Sequence, residues 1–252
     1  MKFAVIALLV GAAIPMWGQN RQQPIATKGT IGSPGSYVLI RDLTVNSAAD
    51  SAIRITSGGV TLDMNGYQIS GPGGNMGVGI TIAGATGVKV TNGVFASLGM
   101  AVVVMNSNNV SLSGLQIRAQ DVAVMAPPPE VGIMIVQSKA VTVENNVISN
   151  VGLGVFVRGG QSGGNRIMNN TITAGMNGLL AICYNPAPAD ENGPRGDLID
   201  NNLMSGFGTG ISFSSQSLYN VVKNNTIFYR TSAFESESES NQDLMNTKVQ
   251  LP

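Results

Sequence analysis

The stretch Val131-Gly132-Ile133-Met134-Ile135, followed after a short gap by Val141-Thr142-Val143-Glu144-Asn145-Asn146-Val147-Ile148, decides the fold. It holds a glycine, an apolar–x–apolar triplet, a second such triplet, an Asn-rich corner and a third apolar pair. Side chains alternate between the two faces of a strand, so each triplet reads as a short strand with one buried face. The phrase recurs. Val78-Gly79-Ile80-Thr81-Ile82 leads to Val88-Lys89-Val90-Thr91-Asn92-Gly93-Val94-Phe95 in the same order. About seven copies lie along the chain. Self-similarity at such a period is the signature of a solenoid.

Working outward from this stretch, the first-strand triplets run from Ile53-Arg54-Ile55 to Ile211-Ser212-Phe213, with a blurred copy between Leu179 and Ile182. The second strands centre on Thr61, Lys89, Ser111, Thr142, Ile167, Ile199 and Val222, and the third strands end at Ile69, Phe95, Ile117, Ile148, Ile172, Met204 and Ile227. Equivalent corners at Asn92, Gly114, Asn145, Asn169, Asn201 and Asn224 are separated by 22, 31, 24, 32 and 23 residues. The longer steps carry insertions between Ala119 and Val131 and between Tyr184 and Asp197, and a further insertion spans Gly71 to Gly77. Three strands per unit describe a three-sided coil. Its core is shared with the coils above and below, because one coil alone encloses nothing. Asn and Gly tolerate left-handed backbone, and the Asn amide can bond to the next coil, so the Asn pairs are expected to stack as corner ladders. Asn109-Val110-Ser111, Asn169-Asn170-Thr171 and Asn224-Asn225-Thr226 also match glycosylation sequons, but at corners they read as ladder residues.

Composition narrows the function. Charged residues are only 11% of the 252, and 14 basic residues balance 14 acidic ones. The basic footprint of a nucleic-acid binder is missing, so nucleic acid is set aside as a partner. Residues 1–19 read as a signal peptide, with Lys2 ahead of the apolar run Phe3 to Ile14, and this implies a secreted or periplasmic protein with no stable membrane span after cleavage. Residues 20–52 read as an N-terminal cap with the first irregular strands, 53–230 as the coils and 231–252 as a polar C-terminal tail or cap. The alternation Glu235 to Ser240 is expected to be flexible, with Leu244, Met245, Val249 and Leu251 available to dock. The lone Cys183 forbids an internal disulfide and reads as a small apolar residue at a strand end.

Ser36 to Tyr229 resembles the right-handed parallel β-helix superfamily, in its pectate-lyase-like group. Gly35-Ser36-Tyr37-Val38-Leu39 with Val60-Thr61-Leu62-Asp63-Met64-Asn65-Gly66 is similar to the opening of secreted β-helix repeat proteins, and the Asn-Asn-x-Ile corners resemble NosD-like carbohydrate-binding and sugar-hydrolase repeats. The expected fold is therefore all-β: a single-stranded right-handed parallel β-helix of about seven coils of three strands. The resemblance implies a polysaccharide groove along the outer face of the first strands, walled by turn insertions. It also raises copper, but the twelve Met residues read as adaptable core filler.

The outward first-strand positions read as Arg54, Thr81, Val103, Met134, Phe156, Leu180 and Ser212. A glycosidase wants two positioned carboxylates there, and a lyase wants clustered acidic Ca2+ ligands with a proton acceptor. This face offers neither, and the chain has no His. No catalytic residue, metal ligand or cofactor is assigned; Ca2+ belongs only to a lyase alternative. The apolar middle of the face has three readings: covered by the insertions, a subunit or partner interface (a homo-oligomer), or a sugar-stacking surface. Candidate binding residues are Arg54, Phe156, Arg158 and the loop cluster Asp190, Glu191, Arg195 and Asp197, the last read either as a site for a cation or anionic sugar or as a solvated loop with local ion pairs. Glu144, Arg166, Asp200 and Lys223 read as outward charges on the second face. The leading expectation is a non-catalytic recognition protein for an extracellular polysaccharide or surface protein. The alternative is a polysaccharide lyase, epimerase or hydrolase with a non-standard site.

Overall fold

The computed structural model describes residues 22–47, 50–72, 76–119, 130–175, 178–185 and 193–252. These residues contain strands and turns and no α-helix. The predicted signal peptide and the centres of the two long insertions lie outside them. The chain winds as a right-handed parallel β-solenoid with three strand ladders. The first holds Gly29–Ile31, Ser51–Ile55, Val78–Ala83, Met100–Met105, Val131–Val136, Leu153–Arg158, Leu180–Asn185 and the later halves of Leu203–Phe213 and Thr226–Ser236. The second runs through ten strands, from Gln23–Ile25 and Gly35–Leu39 to Val221–Lys223 and Gln242–Leu244. The third runs from Leu43–Thr44 through Val94–Ala96 and Thr171–Ala174 to Thr247–Gln250. The nine rungs of the first ladder are separated by eight steps of ~4.8 Å and span about 38 Å.

Residues repeating in sequence become columns in space. Ile53, Ile80, Val102, Ile133, Val155, Ile182 and Ile211 pair in register and are fully buried or nearly so. Stacking places each β-branched side chain on a like neighbour, and every coil closes the core of the next. The glycine that opens the phrase has a steric cause. A Cβ at Gly79 would lie 2.6 Å from a Phe95 ring carbon, at Gly132 2.7 Å from Ile148 Cγ2, and at Gly154 2.5 Å from Ile172 Cγ2. The third-strand side chain of each of these coils fills the space that a larger residue would need. Toward the C-terminal end aromatics take over the filling: Tyr184 packs on Phe213 with centroids 4.6 Å apart, and Phe213 on Phe234 at 5.7 Å.

The Asn corners divide two tasks between successive residues. Asn145, Asn169, Asn201 and Asn224 take φ between 54° and 55°, supplying the left-handed turn. The residue after each turns inward. Asn146, Asn170, Asn202 and Asn225 are at most 2% exposed, and each side-chain oxygen accepts from the preceding coil: Asn146 N to Asn170 at 3.0 Å, Asn170 N to Asn202 at 2.9 Å, Asn202 N to Asn225 at 2.8 Å. The side-chain amides donate within the same ladder and to strand carbonyls such as Val143 O. Corner backbone groups that a strand cannot satisfy are thereby paired inside the solenoid. Asn109 sits at a different corner, also with left-handed φ.

Both ends are wound into the solenoid, and of the two expectations for 231–252, tail or cap, the structure shows the cap. The winding begins earlier, because Gln23–Ile25 already pairs Gly35–Leu39 and Gly29–Ile31 pairs Ser51–Ile55. At the other end, 231–252 is wound as one more coil, not left as a flexible run. Phe234 still fills the inward place of its first strand, but the inward places of the second and third strands are charged, which is why the apolar pattern stops. Asp243 takes the column place after Val222, and Lys248 the place after Ile227. Asp243 and Lys248 form an ion pair, and the Lys248 ammonium lies 5.9 Å from the Phe234 ring centroid. This coil shields the last apolar layer from water, while Leu244, Met245 and Val249 stay exposed.

Asp197 also faces inward, at 1% exposure, in a second polar ladder. Its carboxylate accepts from Asn165 N at 2.8 Å and Asn165 Nδ2 at 2.9 Å, while its own N–H donates to Asn220 Oδ1 at 3.0 Å. The buried Tyr184 hydroxyl faces the same carboxylate without a hydrogen bond of ordinary geometry. Burial pushes the Asp197 carboxyl up to about 6, against the lowering effect of its Asn165 and Tyr184 neighbours. A carboxyl raised in the folded state favours folding while protonated. That advantage is full below the unfolded value of 3.8 and is lost as pH rises to about 6. Asp197→Asn should therefore raise stability at pH 7 by roughly 1–3 kcal/mol and flatten the pH dependence in this window. Urea melts between pH 4 and pH 8 check this.

Candidate functional site

The strand register fixes the outward column of the first sheet as Arg54, Thr81, Val103, Met134, Phe156, Cys183, Ser212 and Glu235. Cys183, and not Leu180, holds the sixth place. The run Leu179 to Tyr184 is apolar throughout and allows two alternating registers. In the structure Ala181 joins the small-residue column between Gly154 and Gly210, and Cys183 takes the outward place between Phe156 and Ser212. Leu180 instead joins a flanking column with Val78, Met100, Val131 and Leu153.

The face is a floor of apolar and hydroxyl side chains. Thr81 and Val103 are 8% and 4% exposed despite pointing outward, and the Thr81 hydroxyl is 3.1 Å from that of Ser51. Met134, Phe156, Cys183 and Ser212 are half-buried. Arg54 and Phe156 are four rungs apart, about 19 Å, so they do not share one small site. Arg158 stands two residues beyond Phe156 on the same strand, at the edge of the floor, and its buried Nε has no hydrogen-bond partner. Arg195 lies at the corner toward the second sheet, bridged to Gly163 and Leu218. Asp197, two residues on, is withdrawn into the interior, and Asp190 and Glu191 lie outside the described residues. The cluster read from sequence is thus not one surface patch among the described residues. On the second face Glu144, Asp200 and Lys223 do share a column, with Lys223 Nζ 3.5 Å from Asp200, while Arg166 belongs to the neighbouring one.

Sequence reasoning missed an acidic pair at the C-terminal rim of this face. Glu235 ends the outward column and accepts from Thr209 Oγ1 at 3.1 Å; Glu237 follows just beyond the strand and accepts from Ser215 N at 3.0 Å. A signal existed. The seven-residue step from Met204 to Ile211 repeats from Ile227 to Phe234, and Asn246 follows Asn225 as another ladder member. Among the described residues no group of three or more His, Cys, Asp or Glu is placed to hold a metal ion. Among the described residues no helix long and apolar enough to cross a membrane is present.

Comparison with known proteins follows the geometry. A family profile for a right handed beta helix region matches residues 30–193. No curated protein matches the sequence. Among solved structures, the alginate lyase of Paenibacillus sp. strain FPU-7 aligns at 13% identity and TM-score 0.56, over 82% of this chain and 88% of that one. The hyperthermoactive exopolygalacturonase of Thermotoga maritima aligns at 13% identity and TM-score 0.55, over 84% of this chain and 54% of its own. The tailspike of E. coli bacteriophage HK620, solved with a pentasaccharide, aligns at 10% identity and TM-score 0.53, over 92% of this chain and 55% of its own. The chain spans about half of the latter two proteins. At these identities the likeness shows the fold.

Burial raises the Cys183 thiol from 9.0 to about 11. The thiolate is the reactive form, so a thiol reagent should label the folded protein at pH 7.5 at least ten-fold more slowly than the urea-unfolded chain. A time course of labelling followed by mass spectrometry reads this directly.

Proposed function

We propose that this chain, a member of the right-handed β-helix family, is a secreted or periplasmic recognition protein that binds an extracellular glycan, with no catalytic role assigned to its central face. The observation that carries this reading is the outward column itself. From Thr81 to Ser212 it offers hydroxyls, Met134, Phe156 and a protonated Cys183, with no carboxylate or base in that stretch. Such a floor supplies contact area and one aromatic ring, with Arg158 at its edge as a fixed cation. It lacks the acid–base pair that cleavage of a glycosidic bond requires. Solved proteins of the same fold include one holding a pentasaccharide and one acting as a lyase on alginate, which supports a glycan as the partner class.

A second reading rests on Glu235 and Glu237. The two carboxylates stand two residues apart at the end of the strand Thr226–Ser236, each held by a hydrogen bond, to Thr209 and to Ser215, and a pair of positioned carboxyl groups is what glycosidase catalysis uses. The pair stands at the solenoid's last rungs, beside the Thr209 and Ser212 hydroxyls. This favours a polysaccharide hydrolase with a site at the end of the rod.

One panel of polysaccharides separates the two. Affinity gels measure binding, and reducing-end assays measure cleavage. The recognition reading expects retardation by at least one polysaccharide, weakened about five-fold or more by Phe156→Ala, with no new chain ends. Cleavage lost in Glu235→Gln or Glu237→Gln transfers the function to the second reading. Failure to bind any member of a broad panel contradicts both.

A further inference from the structure

Beside the first sheet, at the corner leading to the second, three successive coils carry the pattern left-handed residue, small residue, polar residue. They read Gly84-Ala85-Thr86, Asn106-Ser107-Asn108 and Gln137-Ser138-Lys139. Gly84, Asn106 and Gln137 have φ of 63°, 49° and 49°. The middle column turns inward and closes the corner: Ala85 N donates to Ser107 Oγ at 3.2 Å, and Ser107 N to Ser138 Oγ at 3.1 Å. The outer two columns are left to line a shallow groove of about 500 Å3. Asn106 and Gln137 form one bank, Thr86, Asn108 and Lys139 the other, with Ser107 between them.

The groove has a stop at one end. The next coil makes a wider turn, Gly159 to Gly163, and raises Gln161 into the line of the groove. Gln161 N donates to Gln137 Oε1 at 3.0 Å, and the Gln137 amide lies flat over Gly159, where an added Cβ would sit 2.7 Å from its Cδ. Gln137 is therefore held in place before any ligand arrives, which lowers the ordering cost of binding.

The lining selects the chemistry of the ligand. Side-chain amides each bring donors and acceptors, Thr86 adds a hydroxyl, and Lys139 adds one cation that makes no ion pair among the described residues. The groove has no aromatic ring, no carboxylate and no exposed aliphatic side chain. Nucleic acid would want several cations, a hydrophobic peptide an apolar pocket, and a divalent metal carboxylates. A polyhydroxylated chain fits, and Lys139 favours one that carries a carboxylate.

We infer that this corner groove is a second, separate saccharide site, taking a short end segment of a linear polyuronate, with Gln161 as the end stop and Lys139 paired to a sugar carboxylate. One coil advances ~4.8 Å, and one sugar of an extended chain advances by a comparable distance, so successive amides meet successive sugars. The inference rests on the glycan-binding reading above but places the contact on different residues.

Calorimetric titration with a polyuronate tetrasaccharide and a neutral glucan tetrasaccharide tests it. Asn106→Gly with Gln137→Gly keeps the left-handed corner, since Gly84 and Gly159 already occupy equivalent places, and removes both amides. This double variant should bind the polyuronate at least ten-fold more weakly. Lys139→Gln should lose most of the preference for polyuronate over glucan and most of the salt dependence. Glu144→Gln, on the second face and outside both binding surfaces, should change neither by more than two-fold. Thermal melts confirm that each variant is folded. Loss on Phe156→Ala with the corner variants unchanged overturns the corner site and leaves glycan recognition standing on the first sheet. Equal loss in both sets overturns the claim of a separate site. Binding of neither tetrasaccharide by the unsubstituted chain overturns this inference, and the broad panel decides whether recognition falls with it.

Discussion

Everything in this molecule depends on the parallel hydrogen-bonded stacking of one coil on the next. In a solenoid each unit touches only its neighbours, so a residue's surroundings are set by the residues at the same place one coil above and below. That constraint turns a sequence repeat into columns. It explains why Ile and Val recur at inward positions, why small residues recur where third-strand side chains pass close to the first strand, and why Asn recurs at a corner whose backbone groups need partners. The Asn ladder is the polar counterpart of the apolar columns. Each Asn completes the coil before it and leaves its own amide to be completed by the coil after.

The ends show the same constraint in reverse. A stacking scheme has no natural stop, and an unfinished coil would expose apolar rings and unpaired strand groups. Here the final coil keeps the backbone pairing, the Asn241 and Asn246 ladder contacts and one inward ring, Phe234, but on its other two strands it exchanges inward hydrocarbon for the Asp243–Lys248 ion pair. A lysine stem can cover an apolar layer while its ammonium reaches a partner, which suits it to this place.

How much of this was legible in the sequence follows from the columns. The triplets at Ile80 and Ile211 could be read because the polar Thr81 and Ser212 alternate with their inward neighbours, those at Ile133 and Val155 because a glycine opens each phrase, and the third strands because an apolar residue sits at a fixed distance from the corner. The place of Cys183 could not be read, since an unbroken apolar run carries no period of its own. The last coil was hidden because pattern reading looks for buried hydrocarbon, and there the inward places of the second and third strands are held by Asp243 and Lys248. Asp197 misled for a related reason: a carboxylate between Arg195 and a loop looks like surface, and only the ladder of Asn165 and Asn220 shows that an Asn position has been filled by Asp. The amide groove left no mark, because Asn106, Asn108, Gln137 and Gln161 are far apart in the chain and ordinary as corner residues. Fold is written in repetition, whereas a site consists of departures from repetition, and these gain meaning only once the coils are stacked.

The stacking claim is tested most directly by native-state hydrogen exchange at the ladder amides of Asn146, Asn170 and Asn202, each of which donates to the side-chain oxygen of the next coil. The account predicts that these three amides exchange only through unfolding of the whole stack, with one shared free energy that matches urea denaturation. Exchange of any one of them within minutes at neutral pH, independent of the other two, would contradict it.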